Sequence, residues 1–249
     1  MINSAGAVIN DLKKISNPVR AKNLAWFFKT GKGQYGAGDV FWGLRVPSIR
    51  QVAKKYLTLS LAEIKKLLQN KVHECRFAGV LILVDQFKKA DAKQRKILYD
   101  FYLTNSKRIN NWDLVDLSAW VIVGGYMIDH PSKIKLLDKL VKSKNLWQRR
   151  IAVLAGGAFI RHHRFDITLN LAKKLINDPH DLMHKAVGWM LREVGKKNQN
   201  VLEKFLDRYG LKLPRTALRY AIERLPQQQR RYYLNKPRII TSRKPKLSQ

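Results

Sequence analysis

A single cysteine, Cys75, stands in 249 residues. An intrachain disulfide and a cysteine zinc cage are thereby excluded, and the usage fits a reducing cytoplasm. Acidic residues are also scarce: 18 Asp and Glu face 49 Lys and Arg, a net charge of +31. Such an excess is self-repulsive at neutral pH unless an anionic partner offsets it. Positive charge runs through every segment instead of gathering on one amphipathic helix, so nucleic acid fits better than a membrane surface. Long apolar runs are missing too. The longest uncharged stretch, Leu117 to Ile128 between Asp116 and Asp129, falls short of the roughly 20 residues that span a bilayer. The N-terminal MINSAGAVINDLKK lacks the basic region and apolar run of a secretory signal, and the expectation is a cytoplasmic protein with access to nucleoid DNA.

What the chain does have is helical periodicity. Hydrophobic residues make up 45% of it, enough for a sizeable core, and they recur at helical spacing, while alternating β-branched runs are rare. The pattern predicts an all-α protein with helices over about 5–15, 19–29, 47–57, 60–70, 72–89, 91–108, 112–128, 133–143, 145–162, 166–177, 181–197, 199–209 and 214–225. Pro47, Asn111, Pro131 and Pro214 stand at or just before helix starts, where a cap or a missing N–H is tolerated.

The helices repeat. Superimposing CRFAGVLILV, WDLVDLSAWV, RRIAVLAGGA, HKAVGWMLRE and RTALRYAIER aligns Ala78, Val115, Ala152, Ala186 and Ala217, spaced 37, 37, 34 and 31 residues apart. One helix pair per period is the signature of an α-solenoid. The match is degenerate, so the expectation is a HEAT-like repeat domain over 1–234 whose second helices line a concave basic face. The stretch 235–249, NKPRIITSRKPKLSQ, reads as a mobile basic tail that adds phosphate affinity.

Several catalytic signatures fail on inspection. GKGQYG at 31–36 follows a helix, whereas a dinucleotide fingerprint needs a strand before it and a helix directly after. It reads as a flexible helix-to-helix loop that offers Lys32 to a phosphate. The histidines form no H-E-x-x-H, and His162 and His163 lack a third ligand at useful spacing. No G-x-S-x-G elbow is present. The reading therefore calls for no metal and no cofactor.

One acid stands out. In NNWDLVDLSAWVIVGG, residues 110–125, Asn111 is placed to cap a helix, and Asp113 in its first turn is accounted for by the helix dipole, worth about 0.3–1 kcal/mol. Asp116 lies one turn deeper on the same face as Trp112 and Trp120. A buried carboxylate there must be paired or lose its charge. It is either salt-bridged to an arginine of a neighbouring repeat, or it is an acid between aromatics at the floor of an anion-binding groove.

The segments WDLVDLSAW at 112–120, LWQRRIAV at 146–153, KAVGWMLREVGK at 185–196 and LPRTALRYAIERLP at 213–226, with FFKTGKGQYGAGDVFWGLRVPSIR at 27–50, together resemble the bacterial alkylpurine DNA glycosylases of the AlkD type. The likeness runs over nearly the whole chain, in order. It implies a HEAT-like solenoid that excises N3- and N7-alkylated purines. Position by position, it implies that Asp116 is the catalytic aspartate and that Trp112 and Trp189 flank it. It also implies that Arg150 stands beside the site and that Arg192 contacts the backbone near the lesion. The N-terminal aromatic stays open among Trp26, Phe27 and Phe28.

The implied chemistry suits these residue types. Alkylation at N3 of adenine or N7 of guanine makes the base cationic, so it leaves neutral without a general acid. Positive charge then develops on the deoxyribose, as in the oxocarbenium-like states that carboxylates stabilise in glycosidases. Arg149, Arg150, Lys185, Arg192, Arg215 and Arg219, with Lys32, are candidates for phosphate contacts. The partner expected is double-stranded DNA with alkylated purines, bound by a monomer. Two alternatives remain at this level: a non-catalytic solenoid that binds structured nucleic acid, and a peptide scaffold, which the charge serves poorly. The tryptophans can also be read as ordinary solenoid core.

Overall fold

A computed structural model describes residues 3–236. It is all-α: the β-structure among the described residues is one isolated parallel bridge, Val40 to Val72. The chain divides into two compact units between Ala158 and Phe159, and no helix of the described residues is long and apolar enough to cross a membrane.

The first unit opens with α1 (Ala5–Lys13), α2 (Pro18–Phe27), α3 (Val46–Lys54), α4 (Leu61–Leu68) and α5 (His73–Lys89). It continues with α6 (Ala92–Thr104), α7 (Trp112–Ala119), α8 (Gly125–Asp129), α9 (Lys135–Leu140) and the start of α10 (Leu146–Arg161). Short polar side chains begin these helices by accepting from otherwise unpaired N–H groups: Ser4 takes Ala7 N–H, Asn17 takes Arg20 N–H, Ser60 takes Glu63 N–H and Asp91 takes Gln94 N–H. Helix α5 is the hub and packs on α1, α3, α4, α6 and α7.

The second unit holds α11 (Phe165–Lys174), α12 (Asp181–Lys197), α13 (Gln199–Tyr209), α14 (Arg215–Ala221) and α15 (Gln227–Asn235). There α12 is the centre, packed on α11, α13 and α14.

The repeat register is the register of the core. Ala78, Val115, Ala152, Ala186 and Ala217, the five positions aligned by the repeat, are each 0% exposed, on α5, α7, α10, α12 and α14. Small residues at these points let the second helix of each pair seat closely on its neighbours.

Two departures from the periodicity are instructive. Helix α15 was not anticipated: its sequence, QQQRRYYLN, is almost wholly polar, and Tyr233 is the residue it buries. With so narrow an apolar stripe, the amphipathic signal is too weak to register. The helix expected over 112–128 is interrupted by a π-helical segment, Trp120–Gly124, an insertion that periodicity does not reveal. Of the predicted basic tail, only Asn235 and Lys236 are described; the remainder lies outside the described residues.

Candidate active site

The site begins at a cap. Asn111 is fully buried, and its carbonyl accepts from the Trp112 N–H at 2.8 Å, so α7 starts where the sequence indicated. Trp112 is then the first helical residue and Asp116 sits one turn on. The face that carries them is neither core nor surface: Trp112 and Trp120 are half-buried, and 18% of the Asp116 side chain is exposed.

Asp116 meets Arg150 of α10 head on. Arg150 Nε donates to one carboxylate oxygen at 2.7 Å and its terminal nitrogen to the other at 2.8 Å. This bidentate fork fixes the plane of the carboxylate. Arg150 itself is 4% exposed, so it serves the carboxylate within the protein. Burial pushes the Asp116 pKa up from the ordinary 3.8, aided by the like charge of Asp113. The Arg150 guanidinium pulls the other way without cancelling the rise. The result is an oriented, basic carboxylate at a partly open surface.

Close packing holds α10 opposite α7. A Cβ on Gly157 would fall 2.4 Å from the Trp120 ring, and one on Gly124 would fall 2.3 Å from the Ala155 carbonyl oxygen. Backbone and ring approach there as only glycine permits. The π-helical segment is thus pressed against α10, and this contact sets Arg150 across from Asp116.

Aromatic residues from the N-terminal segment build the rest. Phe28, 7% exposed, stacks on Trp112 with ring centres 5.1 Å apart and planes at 11°. Phe27 meets Trp112 edge-on at 6.0 Å and is 53% exposed, whereas Trp26 is 75% exposed with the Lys29 ammonium over its ring. Of the three aromatics left open by the sequence, Phe28 backs Trp112 and Phe27 forms its rim. The GKGQYG loop is a defined turn closed by Gln34, whose side chain accepts from the Gly31 N–H, and Lys32 is exposed on it.

The remaining candidates have varied surroundings. Arg149 donates to the Ser143 and Lys144 carbonyls at 2.9 and 3.2 Å. In the second unit, Trp189 is half-buried with its indole N–H on Glu193 at 3.2 Å. Arg192 pairs with Glu223, Lys185 with Asp181 at 2.8 Å, and Arg215 donates to the Leu234 carbonyl. Arg219 is exposed.

Sequence reasoning passed over a buried polar cluster beside Trp112. Asp39, His73 and Arg76 join Asp113 and Asn111 there. Asp113, first assigned only to the helix dipole, accepts from His73 Nε2 at 2.7 Å. Nothing local signals this, because the partners are 34 to 72 residues apart.

Residues 8–225 match the model of one protein family, described as DNA alkylation repair enzyme. The chain belongs to this DNA alkylation repair family. The match spans most of both units. A solved structure described as "Predicted DNA alkylation repair enzyme from Enterococcus faecalis" has the same fold: TM-score 0.68, 18% identity, 85% of this chain and 97% of that one covered. The smu.31 protein of Streptococcus mutans UA159 aligns at TM-score 0.52 and 18% identity, over 89% of this chain and 99% of that one. No individually curated protein matches the chain. At these identities the solved structures speak for the helical-repeat fold, and membership of the DNA alkylation repair family speaks for an enzyme of alkylation repair with DNA as its substrate.

Proposed function

We propose that the protein is a DNA glycosylase that hydrolyses the N-glycosidic bond of cationic N3- and N7-alkylated purines, the first step of base excision repair. The observation that carries this reading is the oriented Asp116 carboxylate, partly open to solvent and one helical turn from the Trp112 indole. As the bond from C1′ to the base nitrogen breaks, its electron pair goes to the base, which departs neutral. Positive charge appears on the sugar, where Asp116 opposes it. Water adds at C1′, and Asp116 accepts its proton directly or orients it for loss to solvent. Arg150 keeps the carboxylate ionised and aimed. Trp112 offers an electron-rich face to a cationic nucleotide, a contact worth about 0.5–2 kcal/mol, from which neutral purines gain little, and the resemblance assigns Trp189 a like role in the second unit. Phosphates are held by Arg219, Lys32, Lys185, Arg192, Arg215 and Arg149, the paired ones exchanging an internal partner for DNA. The protein acts as a monomer.

The Asp116–Arg150 ion pair also favours a second reading, in which the aspartate is structural and the chain binds DNA without cleaving it. Single-turnover release of 7-methylguanine from a methylated duplex, with DNA affinity in parallel, separates the two. Under the glycosylase reading, Asp116→Asn slows release about a hundredfold or more at unchanged affinity. A wild type that binds DNA but releases no base establishes the second reading.

A further inference from the structure

The cluster beside Trp112 has an unusual charge pattern for a buried place. His73 is 3% exposed, and its two ring nitrogens both face carboxylates: Nε2 lies 2.7 Å from Asp113 and Nδ1 3.4 Å from Asp39. An imidazolium donates to both carboxylates, whereas a neutral imidazole donates to Asp113 alone and turns its Nδ1 lone pair to the Arg76 guanidinium, leaving Asp39 to Arg76 and Asn111. Arg76 completes the arrangement, donating to Asp39 at 2.6 Å and to the Asn70 and Lys71 carbonyls, with its guanidinium 3.4 Å from His73 Nδ1. Of the other nearby acids, Glu74 is turned to the N–H groups of Trp42, Gly43 and Leu44, and Asp116 is paired with Arg150. Two carboxylates are therefore matched by two cations only while His73 is protonated.

Every member of this cluster leads to Trp112. Asn111 donates to Asp39 at 3.1 Å and with its carbonyl holds the Trp112 N–H. Asp113, on the other side of Trp112 in the chain, is held by His73. The ring of His73 lies against Phe41 at 4.8 Å and Phe28 at 5.0 Å, and Phe28 is the ring stacked on Trp112. The indole is thus fixed through its backbone on both sides and through its π-face, each time by way of His73 or its carboxylate partners.

We propose that His73, as an imidazolium bridging Asp39 and Asp113, is the positioning residue that locks the first turn of α7 and thereby aims Trp112 and Asp116. Its protonation is sustained well into the alkaline range: burial lowers its pKa, but Asp113 and Asp39 outweigh burial and Arg76 and raise it to about 9. The effect on rate rests on the glycosylase reading; the effect on the Trp112 environment does not.

The test uses the full chain labelled with 5-fluorotryptophan, the Trp112 fluorine resonance being assigned with Trp112→Phe. The expected result is a Trp112 resonance that shifts with a midpoint at about 9, coincident with the His73 ring-carbon titration, and that no longer shifts in His73→Gln. A Trp112 resonance that stays still while His73 titrates, or that shifts alike in His73→Gln, overturns the inference. If His73→Gln fails to fold, the two wild-type titrations decide: coincident midpoints support the inference and separate midpoints overturn it. Single-turnover release adds an independent readout. Wild-type release is expected to fall as pH rises through the same midpoint, and His73→Gln to be slower by roughly tenfold to a hundredfold, the scale of a small misplacement of reacting groups, with Kd for DNA unchanged. Equal rates overturn the inference. A wild type that releases no base at any pH refutes the glycosylase reading, and the fluorine titration still decides the role of His73.

Discussion

At the scale of single residues, the proposed chemistry rests on the bidentate pair of Asp116 and Arg150. Breaking a buried ion pair by removing one partner costs about 3–5 kcal/mol. Asp116 keeps 18% of its side chain in solvent, so Arg150→Met is expected near the lower end of that range in urea unfolding. The same substitution removes the influence that lowers the Asp116 pKa, and release at neutral pH falls. Arg150→Lys retains charge without the fork and lies between the two. The pH dependence has a definite sign. Under the glycosylase reading, release needs ionised Asp116, whose pKa is raised from 3.8, so the acid limb of the rate profile is expected at higher pH than for an ordinary aspartate. An acid limb at or below 3.8 would remove Asp116 from the role of ionised catalyst. In stability the raised value acts the other way: the folded state binds this proton more tightly than the unfolded chain, so ionisation subtracts stability as pH rises through it.

At the scale of elements, the contact between the π-helical segment and α10 decides whether Asp116 and Arg150 meet. Gly157→Ala places a methyl 2.4–2.7 Å from the Trp120 ring, and overpacking of this kind costs about 1–3 kcal/mol. Both the melting temperature and the release rate are expected to drop, since α10 shifts with Arg150 on it. Gly125→Ala makes the opposite case. Its Cβ would meet Phe87 at 3.5 Å, an ordinary contact, and its backbone is already right-handed helical. Replacing a helical glycine by alanine is worth about 0.5–1 kcal/mol, so this variant is expected to melt higher and to keep its activity. Calorimetry on the pair, with rates, distinguishes specific close packing from a general intolerance of substitution.

At the scale of the whole molecule, charge governs behaviour. With +31 to offset, DNA affinity is expected to fall steeply with salt, by about 10³–10⁵ between 50 and 200 mM if 6–10 phosphates are neutralised. Arg219→Ala is expected to lower the slope of log Kd against log salt by about one; an unchanged slope would show that Arg219 does not touch the backbone. Stability has its own pH window. The His73 pKa rises from 6.5 to about 9 on folding, so the stabilisation it brings is complete below 6.5 and is lost as pH climbs through about 9. Asp39, whose pKa is lowered from 3.8 by His73 and Arg76 against its burial, contributes stability present above 3.8 and lost as pH falls through its folded value. Urea midpoints across this range are expected to fall on the alkaline side in the wild type and to lose that alkaline decline in His73→Gln.

The sequence by itself determined what is periodic and local. The apolar stripes of the helices other than α15, the Asn111 cap and the repeat register that puts Ala78, Val115, Ala152, Ala186 and Ala217 at 0% exposure are all written in neighbouring residues, because helix formation and face burial depend on spacings of three and four. The same spacing marked Asp116 as a misfit on its face. Only the tertiary structure decided which charges meet. Spacing alone left several arginines able to answer Asp116, although the family resemblance set Arg150 beside it, and Asp39, His73 and Asp113 come from three separate segments with no shared pattern. Which ring backs Trp112 was likewise settled by packing, since Trp26, Phe27 and Phe28 are adjacent in the chain and differ only in the direction the end of α2 gives them. Periodicity sets the faces of helices; the pairing of buried charges across them follows from how those helices pack, and that is fixed by the volumes and close approaches of the folded core.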